Sequence, residues 1–157
     1  MSAGEQTPRA HCPDCGAFLD AGQSCADFFH QMLFWENEEP SRGAVHHLMV
    51  LCYYLQHPRL YSIEGLIHGR HLLADFVERG LSPSQARQQN SARVDSGRRE
   101  WAVTARPGNE GAYERPIAWT MTAADIVAGG AEGYVENIQA WAVATHAAIR
   151  RLSIDKQ

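Results

Sequence analysis

The feature that most constrains this chain is a pair of cysteines in the run Cys12-Pro-Asp-Cys-Gly16, followed by a third cysteine at Cys25. The proline and the glycine of this run bend the backbone so that both thiols point at one place, as in half of a tetrahedral zinc site. Cys25 lies at the predicted start of a helix and supplies a third sulfur. The sequence therefore predicts one zinc ion bound by Cys12, Cys15 and Cys25.

The fourth ligand has two candidates. His57 ends a predicted helix over 42–57, and an antiparallel hairpin with the preceding helix would bring its imidazole beside Cys25. His30 follows Cys25 by five residues in one helix and is the local rival. We favour His57, because five residues along a helix turn a side chain about 140° away from the first.

Two other uses of the cysteines compete with zinc. A C-x-x-C pair can be a thioredoxin-type redox centre, but that motif lies between a strand and a helix, and no strand is predicted before Cys12. A disulfide framework is disfavoured, because Met1–Ala10 has neither the basic nor the apolar part of a secretory signal and a reducing compartment is expected. Cys52 lies in an apolar run and is predicted to be a small buried hydrophobic residue.

Length and hydropathy predict a single cytoplasmic domain. A chain of 157 residues can bury about two thirds of its unfolded surface without disulfide bonds. Its longest apolar run, Leu48–Leu55, is far shorter than the roughly 18–20 residues that span a bilayer. We therefore expect no membrane partner.

Hydrophobic periodicity predicts an all-α fold, a compact helical bundle. Apolar residues recur at helical spacing and alternate nowhere over a strand length. Helices are predicted over 25–37, 42–57, 62–80, 82–89, 122–129 and 131–153. Ser24 and Thr122 begin capping boxes with Asp27 and Asp125, and Gly80 suits the left-handed position after a helix. The second helix is apolar almost all round, which marks it as the most buried.

The domain 1–157 is divided by these patterns into a zinc-knuckle arm (1–24), a helical core (25–89), a long irregular segment (90–117) and C-terminal helices (118–157). The irregular segment carries several arginines around Trp101, which could meet an anion or nucleic acid. Asp95 and Glu100 dilute this charge, and no groove-entering or stacking motif accompanies it. A solvated loop is favoured, and nucleic acid is disfavoured as a partner.

Further histidines extend the set of candidates. His46 lies three turns before His57 on one face of the second helix, about 16 Å away, so one ion cannot bind both. It is interpreted as a core histidine, or as a residue that binds a second ion or acts as a general base. The third helix carries four residues on one face at metal-compatible spacing: Glu64, His68, His71 and Asp75. This face is opposite the apolar stripe, so a solvated surface is favoured.

The chain also resembles an uncharacterised bacterial family of small helical proteins, a domain of unknown function. The resemblance rests on these motifs: Cys12-Pro-Asp-Cys-Gly16, Cys25, His46–Pro58 with its Tyr53, Gln56, His57 and Pro58, Trp119–Asp125, and Trp141-Ala142. It implies that the cysteines and histidines form one site. It supplies no activity.

The sequence is compatible with two functions. The first is a zinc-binding helical domain with a structural metal, because three thiolates and one imidazole make a closed site; it would act by binding a protein or small-molecule partner. The alternative is a metal-dependent enzyme in which an open metal position activates water and His46 acts as general base. The chain has none of the G-x-S-x-G, P-loop, G-x-G-x-x-G and H-E-x-x-H patterns, so no catalytic residue is assigned from motifs.

Overall fold

A computed structural model describes residues 10–93 and 102–154 of the chain. Its α-helices and strands are β1 (Ala10–His11), β2 (Phe18–Leu19), α1 (Cys25–Glu38), α2 (His46–Gln56), α3 (Ile63–Arg79), α4 (Pro83–Arg93), α5 (Ala123–Ala128) and α6 (Tyr134–Ile154). Two 3₁₀ helices, Pro40–Val45 and Pro58–Leu60, flank α2. The predicted all-α fold class is confirmed, with a two-residue hairpin as its only sheet among the described residues.

The centre of the bundle is α2, which packs against α3 and α6. Met49, Cys52 and Leu55 have no exposed surface, as expected for a helix that is apolar all round. The buried Gln56 amide donates to the Met121 carbonyl at 2.7 Å and to the Thr145 hydroxyl at 3.3 Å. Hydrogen bonds from one side chain thus tie the end of α2 to the segment before α5 and to α6.

Helix ends follow the capping signals in the sequence. The backbone N–H of Ser24 donates to the Asp27 carboxylate at 2.9 Å, and that of Thr122 donates to Asp125 at 2.8 Å. Gly80 ends α3 with φ +61°, in the left-handed region that favours glycine. These local signals correctly predict where α1, α3 and α5 begin or end.

The start of α2 was predicted wrongly. Pro40–Val45 forms a 3₁₀ helix, and α2 begins at His46 rather than at Arg42. The Arg42 guanidinium donates to the Trp35 carbonyl at 3.0 Å, which satisfies one of the last carbonyls of α1. The connection is a 3₁₀ helix, whose turns are tighter than those of an α-helix.

The described part of the irregular segment is docked on the bundle rather than solvated along its length. Thr104 pairs with Tyr61 and Glu110 pairs with Ser62 in isolated antiparallel bridges. Gly65 permits this approach, because a Cβ there would collide with the Val103 carbonyl. Pairing between distant backbone segments leaves no hydrophobic period in the sequence, so periodicity could not predict it.

The structure describes only part of the rest of that segment. Helix α4 runs to Arg93, beyond the predicted end of the fourth helix at residue 89. Residues 94–101, including Trp101, lie outside the described residues. Among the described residues, no helix has the length and apolar character needed to cross a bilayer.

Candidate metal centre

The first two cysteines lie in the turn of the β1–β2 hairpin, where Ala10 pairs with Leu19 and His11 with Phe18. Inside the turn, the Cys12 N–H donates to the Ala17 carbonyl at 2.8 Å and the Gly16 N–H donates to the Cys12 carbonyl at 2.9 Å. Gly16 has φ +79°, which L side chains rarely adopt. The turn is therefore closed by its own backbone.

One premise of the sequence analysis is corrected by this hairpin, because a short strand does precede Cys12. The thioredoxin arrangement is still not present. Cys12 and Cys15 lie in a hairpin turn, whereas a thioredoxin pair lies at the start of a helix.

Four side chains converge at the end of α2. The ligand atoms of Cys12, Cys15, Cys25 and His57 all lie within 4.8 Å of one another, and all four residues are buried. They come from three separate places: the hairpin turn, the first residue of α1 and the residue that follows α2. This cluster, called below the Cys₃His cluster, could hold a metal ion, and among the described residues no second such group is found.

His57 is oriented by the backbone of its own helix. Its Nδ1–H donates to the Tyr53 carbonyl at 2.6 Å. A carbonyl oxygen only accepts, so the neutral ring keeps its proton on Nδ1 and its lone pair on Nε2. Nε2 is the nitrogen that faces the sulfurs, 3.6 Å from Cys12 Sγ. A histidine that binds a metal through one ring nitrogen typically donates its other ring N–H to an oxygen acceptor, and His57 has this arrangement.

Without a bound cation, the sulfurs of the cluster do not all ionise with equal ease. Cys15 Sγ lies 3.6 Å from Cys25 Sγ, and both cysteines are free. The hydrogen bond from Cys25 lowers the pKa of Cys15 to about 4 against the opposing effect of burial. The same bond, together with burial, raises the pKa of Cys25. The cluster thus carries one thiolate easily and resists a second, since two adjacent negative sulfurs repel. A bound cation removes that repulsion.

The same thiolate acts on His57. Burial lowers the pKa of His57, but its hydrogen bonds with Cys15 and with the Tyr53 carbonyl more than offset burial, so the pKa is raised. Nε2 lies 3.6 Å from Cys12 Sγ, and the hydrogen bond with Cys15 is the largest of the effects that raise the pKa of His57. Positive charge is therefore favoured at the centre of the cluster.

An ion pair that the sequence analysis missed holds the hairpin turn to the end of α2. Arg59 donates to both carboxylate oxygens of Asp14, at 3.0 and 2.6 Å. The signal was available, since opposite charges occupy two segments that were already expected to meet around His57. A two-pronged guanidinium contact fixes orientation as well as distance.

A cavity of 680 Å³ borders the hairpin turn. Its lining comes from the hairpin turn, from Pro58 and Arg59, and from the segment 111–119. Tyr113 and Trp119 of that segment are half-buried, with ring centres 5.8 Å apart. The Cys₃His cluster therefore supports one side of an open cavity with aromatic and charged lining.

The other sequence candidates lie elsewhere. His30 is exposed and does not belong to the Cys₃His cluster. His46 is half-exposed and donates to Glu36 at 2.6 Å, so the interpretation as a core histidine is wrong. Cys52 is fully buried, and burial raises its pKa to about 12, so it remains a neutral thiol.

The polar face of α3 stays at the surface. Glu64 and His71 are exposed, and the Asp75 carboxylate accepts from Arg79 at 3.4 Å. No metal-ligating group is found on this face among the described residues. A solvated face accounts for Glu64 and Asp75, whereas His71 also lines a cleft against α6.

Comparison with known proteins adds a family and no activity. A family model described as a family of unknown function (DUF5946) matches residues 10–150, which confirms the resemblance drawn from the motifs. No curated protein and no solved structure matches the chain. Any function must therefore be argued from the site itself.

Proposed function

We propose that this chain, which belongs to the DUF5946 family of unknown function, is a zinc-binding helical domain. Its metal would be structural, held by Cys12, Cys15, Cys25 and His57. The observation that carries the proposal is the convergence of these four buried ligand atoms within 4.8 Å. Three sulfurs and one imidazole form a donor set that suits zinc, and four protein ligands leave no open position.

The structural role follows from which segments the ligands join. A two-stranded hairpin with two residues in each strand has little stability of its own in water. Zinc would tie this hairpin to the start of α1 and to the end of α2, three places that local sequence does not hold together. Metal binding would then contribute directly to the free energy of folding of the N-terminal part.

The 680 Å³ cavity beside the hairpin supports the second half of the proposal, that the domain binds a protein or small-molecule partner. Its volume is in the usual range for ligand sites, roughly 300–1,000 Å³. The metal would act on this cavity by fixing one of its walls. We also propose a cytoplasmic location, since reduced cysteines suit a reducing compartment.

The enzyme alternative is weakened by the position of its general base. His46 and His57 lie at opposite ends of α2, about 16 Å apart at 1.5 Å per residue. A general base has to reach the proton that it abstracts directly or through one water. His46 therefore cannot serve a water at the Cys₃His cluster.

Metal analysis and X-ray absorption on the purified chain test the proposal. We expect one zinc per chain, three sulfur ligands, one nitrogen ligand and no coordinated water. One or two sulfurs with lighter atoms and an open position would instead favour a catalytic metal. A chain that folds fully and binds no stoichiometric metal would overturn the proposal.

A further inference from the structure

A second cleft lies between α3 and α6, with none of its lining residues in the Cys₃His cluster. It has a volume of 270 Å³. Three residues from each helix form most of its lining: Ile67, Arg70, His71, His146, Ile149 and Arg150. The two isoleucines give it an apolar part, and the other four residues give it nitrogen donors.

Four ionisable side chains line this cleft within the part of the chain that the structure describes, and all four are bases. Among the described residues, the neighbouring carboxylates hold the bases without lining the cleft themselves. Glu114 contacts the Arg70 guanidinium at 3.4 Å, and Glu78 contacts Arg150 at 3.1 Å. Glu78 also accepts from His146 Nε2 at 2.9 Å. These contacts restrain the guanidinium groups, which lowers the conformational entropy that a ligand would have to remove.

The α3 side of the cleft is restrained further. The Arg70 guanidinium lies 5.7 Å from the ring centre of Tyr113, within the range of a cation–π contact. Its side chain is 26% exposed, so it is largely fixed yet still reachable by a ligand. Arg70 is therefore a better defined donor than an arginine free in solvent.

Two lining side chains have hydrogen-bond donors that no other described residue uses. His71 and Ser153 both line the cleft, and neither side chain contacts another described residue in a hydrogen bond or an ion pair. Around an anion in this cleft, guanidinium, imidazole and hydroxyl donors would all be available. Guanidinium groups bind phosphate oxygens in pairs, a geometry that lysine does not offer.

We propose that the cleft between α3 and α6 binds a small phosphate monoester. The phosphate would lie between Arg70 and Arg150, with His71 and Ser153 as further donors, and the organic part would contact Ile67 and Ile149. The volume of 270 Å³ favours a small molecule over a polymer. This site is independent of zinc and adds a ligand class to the domain.

The test is calorimetric titration of the full zinc-loaded chain with phenyl phosphate, and with benzoate as the matched carboxylate. We expect one saturable site for phenyl phosphate and affinity for benzoate lower by about tenfold or more, because a phosphate dianion engages two guanidinium groups. The variant Arg70→Gln/Arg150→Gln should weaken phenyl phosphate binding by about tenfold or more. Unchanged zinc content and helical circular dichroism show that this variant is folded.

Arg79→Gln is the matched control, because Arg79 is an exposed arginine of α3 that does not line the cleft. It removes one charge and should leave affinity unchanged. Equal weakening in Arg79→Gln would show a general surface-charge effect and overturn the proposal. So would benzoate binding as tightly as phenyl phosphate, or no saturable binding at millimolar concentrations. If the double variant is unfolded, Arg150→Gln alone decides, since that side chain is 62% exposed.

Discussion

The two ends of α2 each carry a histidine that is held in the same way. At the C-terminal end, His57 donates from Nδ1 to the Tyr53 carbonyl at 2.6 Å. At the N-terminal end, His46 donates from Nδ1 to the Glu36 carboxylate at 2.6 Å. In both cases the bond at Nδ1 orients the ring and leaves Nε2 for another partner.

The difference lies in what surrounds the second nitrogen. His57 is 6% exposed and faces sulfurs delivered by two other segments. The His46 side chain is 51% exposed, and its partner Glu36 is held in turn by the Tyr134 hydroxyl. An oriented imidazole is therefore not enough to make a metal site. Such a site is made by distant segments that bring further ligands to the imidazole.

The largest expected effect comes from removing sulfurs at the His57 end. Cys12→Ser/Cys15→Ser should abolish stoichiometric zinc, because two of the three soft ligands are lost. Loss of a metal that was present at about 1,000 times its Kd lowers the free energy of unfolding by about 4 kcal/mol. Metal analysis and urea denaturation measure both effects.

Cys52→Ala is the control for this experiment. Cys52 is also buried in α2, but burial raises its pKa to about 12, and it lies outside the Cys₃His cluster. Zinc content should be unchanged in this variant. Full zinc retention in the double serine variant would show that the hairpin turn does not bind the metal.

The second prediction sets the two histidines of α2 against each other. His57→Ala should weaken zinc binding by more than about 10–100-fold, the range seen when only a supporting group of a ligand is lost. His46→Ala should leave zinc binding unchanged and lower stability by about 1 kcal/mol, since a half-exposed hydrogen bond is lost. Zinc retention under a competing chelator measures the first effect, and urea denaturation the second.

His30→Ala belongs in the same series as the local rival of His57. His30 is exposed on α1 and lies outside the Cys₃His cluster. Its replacement should have no effect on zinc retention. If His30→Ala released the metal and His57→Ala did not, the comparison between the two ends of α2 would lose its basis.

Sequence reasoning performed differently at the two ends of α2 for a physical reason. Near His57, the C-P-x-C-G run, the position of Cys25 and the stop at Pro58 are strong local signals. Together with the antiparallel order of α1 and α2, they were enough to predict which four residues meet. That these residues bind zinc stays a prediction.

Near His46 the decisive contacts are long-range and have no motif. Tyr134 is 98 residues away from Glu36 in the sequence, so nothing local predicts that the two meet around His46. The bridge between Thr104 and Tyr61 was missed for the same reason. Pairing of distant backbones and side chains is decided by packing, which single-sequence periodicity does not record.

A third prediction compares a glycine near the His57 end of α2 with a glycine near the His46 end. Gly16→Ala should destabilise the zinc-loaded chain by roughly 1 kcal/mol, because φ +79° is unfavourable for an L side chain although no atom lies in the way. Gly43→Ala, in the 3₁₀ helix before His46, meets open space at an ordinary φ. It should be neutral or stabilising by up to about 1 kcal/mol. In urea denaturation, Gly16→Ala should lower the free energy of unfolding and Gly43→Ala should not, and equal losses in the two variants would contradict the strain assigned to the turn.

The smallest expected effect is a pH dependence at the His46 end. Burial, and to a lesser extent the charge of His46, lowers the pKa of His47 from 6.5. The His47 ring packs on Phe76 at 4.6 Å between centres. Because the unfolded chain binds a proton more readily than the folded chain, this packing contributes its full stability above pH 6.5. The contribution is lost as the pH falls from 6.5 towards the lowered pKa of the folded state.

Acid also protonates the cysteine ligands, so the His47 contribution has to be isolated by a variant. His47→Gln keeps a polar side chain of similar length but cannot titrate. Both chains are measured at pH 7.5 and at pH 5.5. The free energy of unfolding of the wild type minus that of His47→Gln should be smaller at pH 5.5 than at pH 7.5. Effects from the Cys₃His cluster cancel in this difference, since both chains carry the same ligands. A difference that is constant with pH would show that His47 titrates alike in the folded and unfolded chains.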